Sequence, residues 1–327
     1  MSKPLVLVTR QIPDAGLDLL RAQCQVALWE EDSVVPRDWV LEHILKASGM
    51  LCLLTDAIDR EVLDAAPSLK VVSTMAVGFD NIDVKECSKR GISVGHTPGI
   101  LTETTADFAF ALLMAAARRI VDGAEYVKEG HWKTWSPTLL LGQDMYGATL
   151  GIVGFGRIGQ AVARRAKGFG MRVLACRSTT QTPIQGDAHD DVKVVDLPTV
   201  LTESDFVSLH VPLTQETHHL IGKPELERMK NSAILVNTSR GSVIDSQALA
   251  LALAAGDIAY ASLDVTDPEP IPLEHPLFHE PHCLIVPHIA SASFATRGKM
   301  AIMAAENLLA GLNGKRLPFV VNPEVYA

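Results

Sequence analysis

The sequence predicts an α/β protein built from doubly wound parallel sheets in two domains, the first of them discontinuous. Three observations carry this. Short apolar runs alternate with helical patterns along most of the chain, as expected for parallel strands covered by helices on both faces. Residues 149–176, TLGIVGFGRIGQAVARRAKGFGMRVLAC, place Gly154, Gly156 and Gly159 at G-x-G-x-x-G spacing between a strand-like and a helix-like run. The length, 327 residues, suits two domains.

Taken in order, runs 5–9, 26–29, 50–54, 71–74 and 92–94 read as strands, and 13–22, 37–46, 60–65 and 84–90 as the helices between them. This half has no phosphate fingerprint and is assigned to the substrate. MAVGFDNID follows the fourth strand, and glycine there lets backbone N–H groups turn toward an anion. Thr97-Pro98-Gly99 breaks the pattern and marks a domain crossing. One long, buried helix is expected over 103–129, capped by Thr102 and with the Thr105 hydroxyl in its first turn facing a cleft between the domains. Next comes HWKTWSPTLLLG, whose Trp132, Trp135 and three leucines form a local core or, the reading preferred here, a dimer interface. Further strands are expected at 150–153, 171–176, 206–211, 233–238, 260–265 and 285–287. A last helix over 294–312 is expected to return to the first domain, giving domains of 1–101 with 292–327 and of 102–291.

Each glycine of the fingerprint has a task. Gly154 permits the tight turn, Gly156 lets backbone approach a pyrophosphate, and Gly159 lets helix pack on strand. The helix N-terminus then offers free N–H groups and a positive dipole end to phosphates. An acid about 20 residues on would hold the 2′-hydroxyl of NAD. Here Arg177-Ser178-Thr179-Thr180 stands instead, and the nearest later acid is Asp187. A guanidinium pairs with a 2′-phosphate that a carboxylate would repel, so NADP(H) is expected over NAD(H), with NAD(H) open as a second cofactor.

Composition narrows the function. With 29 basic and 38 acidic residues the net charge is −9 and no basic run occurs, which argues against nucleic acid. The apolar stretch 108–117 is too short to span a bilayer, and the N-terminus lacks the apolar core of a signal peptide. Five scattered cysteines without C-x-x-C spacing fit a reducing cytoplasm, with no metal site or disulfide framework.

In open parallel sheets ligands sit at the carboxyl ends of strands. His210, Thr238, Ser239, Arg240, Asp264 and His288 fall there. Reduction of a 2-keto acid needs a cation for the carboxylate and carbonyl, a proton donor near the carbonyl oxygen, and a group that keeps the donor protonated. Arg, His and Glu suit these tasks. Spacing alone does not rank Arg240, Glu269 and His288 above His210, His275 or Asp264.

TMAVGFDNID, TPGILTETTADFAFALLMAAARR, LGIVGFGRIGQAVARR, NTSRGSVIDSQAL, LDVTDPEP and PHIASAS together resemble the D-isomer-specific 2-hydroxyacid dehydrogenase family over nearly the whole chain. The resemblance implies two Rossmann-like domains, a site in the cleft between them and a homodimer. It implies Arg240, Glu269 and His288 as the catalytic triad, His288 being the proton donor. It places Val77 and Gly78 on the substrate carboxylate. It places Thr105, Gly156, Arg157, Ile158, Pro212, Thr217, Thr238 and Asp264 around the cofactor. Within the family the chain is most similar to reductases of glyoxylate and hydroxypyruvate, on the strength of GHWKTWSPTLLLG and Arg177-Ser178. That likeness implies Trp135 reaching a partner's substrate pocket, which Leu53 and Leu54 would also wall. D-lactate-, phosphite- and formate-type dehydrogenases are the alternatives on this scaffold. A phosphoglycerate dehydrogenase is disfavoured because no regulatory domain follows Ala327, and a nucleotide-sensing corepressor because no extended tail does.

Overall fold

The computed structural model describes residues 3–177 and 191–327. The chain divides into two compact units, residues 1–101 with 292–327 and residues 102–291.

In the first unit, strands β1 (Leu5–Val8), β2 (Gln25–Leu28), β3 (Gly49–Cys52), β4 (Val71–Thr74) and β5 (Ser93–Gly95) alternate with helices α1 (Asp14–Gln23), α2 (Arg37–Ile44), α3 (Arg60–Asp64) and α4 (Val84–Lys89). All pairs are parallel, in the order β2-β1-β3-β4-β5. Alternate side chains serve opposite faces. Leu7, Met50 and Val72 join Val40, Ile44 and Val62 of α2 and α3. Val6, Val8, Leu51 and Val71 join Leu17 and Leu20 of α1 and Ala304 and Leu308 of the chain's last helix, Phe294–Leu312. Each fully buried Leu or Val contributes about 1.5–3 kcal/mol. That helix begins where Ser293 Oγ accepts the Thr296 N–H. Beyond it the chain stays on this unit. The buried Asn322 accepts from Val94 N–H (2.7 Å) and donates to Ile92 O (2.9 Å), and Val320 bridges to Gly95 at the sheet edge.

The second unit opens with α5 (Thr102–Ala117) and α6 (Ile120–Lys128). The single helix expected over 103–129 is therefore corrected to two, and Thr102 is the first helical residue rather than the cap. Arg119 interrupts them with φ +51°. Its Nε pairs with Asp122 Oδ2 (2.8 Å), and Tyr260 O–H donates to Asp122 Oδ1 (3.2 Å), tying the first turn of α6 to a strand of the sheet. No residue of α6 is buried, whereas half of α5 is. Then follow β6 (Thr149–Val153), α7 (Arg157–Gly168), β7 (Arg172–Cys176), β8 (Val192–Val194), α8 (Leu197–Glu203), β9 (Phe206–Leu209), α9 (Lys223–Leu226), β10 (Ile234–Asn237), α10 (Ser246–Ala255), β11 (Tyr260–Leu263) and β12 (Cys283–Ile285).

This sheet is also parallel, ordered β12-β11-β10-β9-β6-β7-β8. Helices α5 and α7 cover one face with Leu112, Leu113 and Val162 over Leu150, Ile152, Phe206 and Val236; α8 and α10 cover the other. The order reverses between β6 and β9, the place where such sheets open a crevice. The last strand sits two residues earlier than the 285–287 expected, because β12 takes its register from β11 (Leu263↔Ile285). No helix among the described residues is long and apolar enough to cross a membrane.

Candidate active site

The glycine loop lies at the switch point. Gly154 has φ +95°, and a Cβ there would stand 2.6 Å from the backbone carbonyl of His210 on the neighbouring β9 loop. Only glycine lets the two strand ends approach this closely. A Cβ at Gly159 would stand 2.3 Å from Gly154 O, so the start of α7 packs on the turn itself. Gly156 is different, because a Cβ there would meet nothing within 4 Å. No side chain caps α7 at Gly156, so Gly156, Arg157 and Ile158 present backbone at an open helix N-terminus. That arrangement fits a pyrophosphate.

Two orphaned polar atoms fit the rest of a dinucleotide. Arg177 follows β7, with its Cζ 6.0 Å from the Phe155 ring centroid and its Nε buried without a hydrogen-bond partner. Thr238 Oγ1, just after β10, is likewise buried and unpartnered. Unsatisfied buried groups of this kind are costly unless something else completes them. Thr217 Oγ1 donates to Pro212 O (2.6 Å) and so shapes the β9 loop, while Thr105 is buried in the first turn of α5. Ser178 lies outside the described residues.

The three residues named for the chemistry follow adjacent strands. Arg240 comes three positions after the end of β10, Glu269 stands in the loop after β11, and His288 comes three positions after the end of β12. His288 Nδ1 and Glu269 Oε1 are 2.6 Å apart, with side chains 23% and 34% exposed. A carboxylate accepts only, so Nδ1 donates and Nε2 is the nitrogen that can exchange a proton beyond the pair. Asp264 fixes the backbone that carries this imidazole. Its carboxylate accepts from Ile289 N–H (2.7 Å) and Ala290 N–H (2.8 Å), and its carbonyl accepts from His288 N–H (2.9 Å). These bonds hold His288 at φ +54°. Burial pushes the Asp264 carboxyl above the usual range, with the two N–H bonds and His288 pulling against it.

Arg240 stands on a tight turn, where its Nη1 donates to Ser239 O (2.9 Å). Asn237 Nδ2 donates to Arg240 O (2.9 Å), and Asn237 Oδ1 accepts from Ser239 N–H (2.9 Å), which shapes the turn. At the next residue, Gly241, a Cβ would lie 1.9 Å from Thr266 O. The Arg240 turn is therefore pressed on the loop that leads to Glu269. Sequence reasoning missed this contact, although a glycine directly after the arginine was its visible signal. His210 is a different kind of histidine: its ring meets Ser208 Oγ at 2.9 Å, and burial pushes it down to about 4. His275, 9% exposed, takes the Leu277 N–H on Nδ1 and serves the structure of its loop.

Leu54, Val77 and Gly78 belong to the first unit, where they follow the carboxyl ends of β3 and β4. His96 Nδ1 lies 2.9 Å from Val77 O and braces that loop. Trp132 (59%), Trp135 (78%) and Leu141 (68%) are exposed, so this segment does not form the local core that was the other expectation.

The chain is similar to known proteins over nearly its whole length. A family model described as D-isomer specific 2-hydroxyacid dehydrogenase, NAD binding domain, matches residues 110–290. A glyoxylate reductase of Korarchaeum cryptofilum is 54% identical over 324 residues, covering 99% of this chain and 97% of that one. The crystal structure of a protein from Thermus thermophilus superposes with a TM-score of 0.91 at 48% identity, covering 97% and 99% of the two chains. The NADPH-dependent glyoxylate/hydroxypyruvate reductase of Sinorhizobium meliloti, in complex with NADP and malonate, gives 0.84 at 31% identity, covering 99% and 98%.

Proposed function

The chain belongs to the D-isomer specific 2-hydroxyacid dehydrogenase family, and from that membership we propose that it reduces small 2-keto acids, glyoxylate to glycolate and hydroxypyruvate to D-glycerate, with NADPH. The observation that carries the reading is the 2.6 Å His288–Glu269 pair, in the loops after β12 and β11 of the same sheet whose β6 leads into a glycine loop open to a dinucleotide. Bound NADPH supplies the hydride. Gly156 to Ile158 would hold its pyrophosphate and Arg177 its 2′-phosphate, with Thr238 and Asp264 around it. Arg240 holds the substrate carboxylate and polarises the carbonyl through its guanidinium fork. Glu269 accepts from His288 Nδ1–H and holds the ring, and His288 Nε2 delivers the proton to the carbonyl oxygen as charge builds there.

In this reading residues 102–291 bind the dinucleotide, and residues 1–101 with 292–327 bind the substrate, its carboxylate resting on the Val77 and Gly78 backbone beside Leu54. The relatives named glyoxylate reductase support the small substrate, and the Sinorhizobium enzyme in complex with NADP supports the cofactor. The exposed Trp135 segment supports a homodimer, and five free cysteines suit the cytoplasm. The test is a panel of keto acids with both reduced cofactors. NADPH oxidation with glyoxylate and hydroxypyruvate is expected; no oxidation with any keto acid would refute the reading and leave a binding scaffold.

A further inference from the structure

Glu269 sits in a loop, not on a strand or helix, in the stretch Asp267-Pro268-Glu269-Pro270. Its Oε2 accepts from Thr266 N–H (3.3 Å), so the carboxylate is only as well placed as the Thr266–Asp267 backbone. That backbone is anchored by Asp267. Its Oδ2 accepts from Ser242 O–H at 2.5 Å, and Ser242 stands two residues after Arg240. Its carbonyl accepts from Ser246 O–H (3.2 Å) at the start of α10. Ser246 is set in turn by His275, whose Nε2 lies 3.2 Å away. Gln247 Nε2 meets the same ring nitrogen at 3.1 Å, and His275 Nδ1 accepts from Leu277 N–H, so the ring is held on both sides. The backbone contact of Gly241 with Thr266 closes the arrangement.

We infer that Asp267 is a positioning residue: gripped by Ser242, it fixes the Glu269 loop on the Arg240 turn so that the Glu269 carboxylate meets His288 Nδ1. One turn, 240–246, would then set both the substrate cation and the group that holds the proton donor. Asp267 acts only through Glu269. The inference rests on His288 being the proton donor, and its test separates the two.

The readout is the pH profile of kcat/KM for glyoxylate reduction by the full chain with NADPH. Two carboxylates that act on His288 are those of Glu269 and Asp264. Delivery of a proton from the imidazole gives the profile a falling limb on its alkaline side. A negative charge beside an imidazole favours its charged form, so losing one moves such a limb toward lower pH. Glu269→Gln should move the falling limb to lower pH. Asp267→Ala should move it the same way by a smaller amount, with kcat/KM down about tenfold, while Asp267→Asn, which keeps an acceptor for Ser242, should restore the wild-type limb. A role confined to stability would lower the amplitude and leave the limb in place. If Asp267→Ala does not fold, Ser242→Ala removes the same bond from the other side and should shift the limb likewise. An unmoved limb in these variants while Glu269→Gln shifts overturns the inference alone. An unmoved limb in Glu269→Gln overturns the proton-donor reading, and the inference with it.

Discussion

Gly241→Ala tests the coupling of the two catalytic loops most severely. The added Cβ would lie 1.9 Å from Thr266 O and 2.0 Å from Thr266 C, both backbone atoms. Real Cβ contacts do not fall below 3.0 Å, so the loops must part by at least about 1.1 Å. No side chain can swing away to absorb this. A displacement of about 1 Å between groups that must act together costs about 10²-fold in rate, or roughly 2.7 kcal/mol of barrier. The variant should therefore lose about 10²-fold in kcat/KM for glyoxylate, with a stability loss of about 1–3 kcal/mol. Affinity for NADPH should stay within a few-fold, because the glycine loop follows β6, two strands from β10 in the sheet. Gly168→Ala, where the added carbon meets nothing within 4 Å, is the control and should match wild type. Steady-state kinetics and fluorescence titration of NADPH measure both quantities. Wild-type kcat/KM in Gly241→Ala would refute the claim that these loops must touch.

Three further outcomes are expected. Arg177→Asp should shift the NADPH/NADH preference toward NADH by roughly 10- to 100-fold, the worth of one or two charge-assisted hydrogen bonds; kcat/KM with each cofactor measures it. Gly154→Ala should cost roughly 1–3 kcal/mol in denaturant unfolding, because its φ of +95° and the 2.6 Å approach to His210 backbone both resist a side chain. His210 is held at about 4 in the folded chain, below its ordinary 6.5, so the unfolded chain binds the extra proton first. It contributes stability that is present above pH 6.5 and lost as pH falls toward 4, and His210→Gln should flatten that part of the Tm–pH curve.

The sequence showed the β6–α7–β7 unit clearly because three glycines stood between two apolar strands, and each constraint left its mark as a residue type. The α5–α6 break was hidden because Arg119 is no breaker by itself. What holds the left-handed turn is Asp122, reached by Arg119 from nearby and by Tyr260 from 138 residues away. Short polar edges such as β8 (Val192–Val194) carry too little apolar pattern to be read. In the candidate site, Arg240, Glu269 and His288 could be picked out only by family resemblance. The His288–Glu269 pair and the approach of the Arg240 turn to the Glu269 loop depend on the strand order β12-β11-β10, which no local spacing encodes. Asp267 and Ser242 went unread for the same reason, lying 25 residues apart and joined by one hydrogen bond.

The account stands most directly on one measurement: hydride transfer from nicotinamide-deuterated NADPH to C2 of glyoxylate, followed in single turnovers for the native chain and for His288→Gln. Deuterated glycolate is predicted from the native chain, with a rate lower by at least about 10²-fold in the variant at unchanged NADPH affinity. Transfer at the native rate without the imidazole, or no label in glycolate from the native chain, would contradict it.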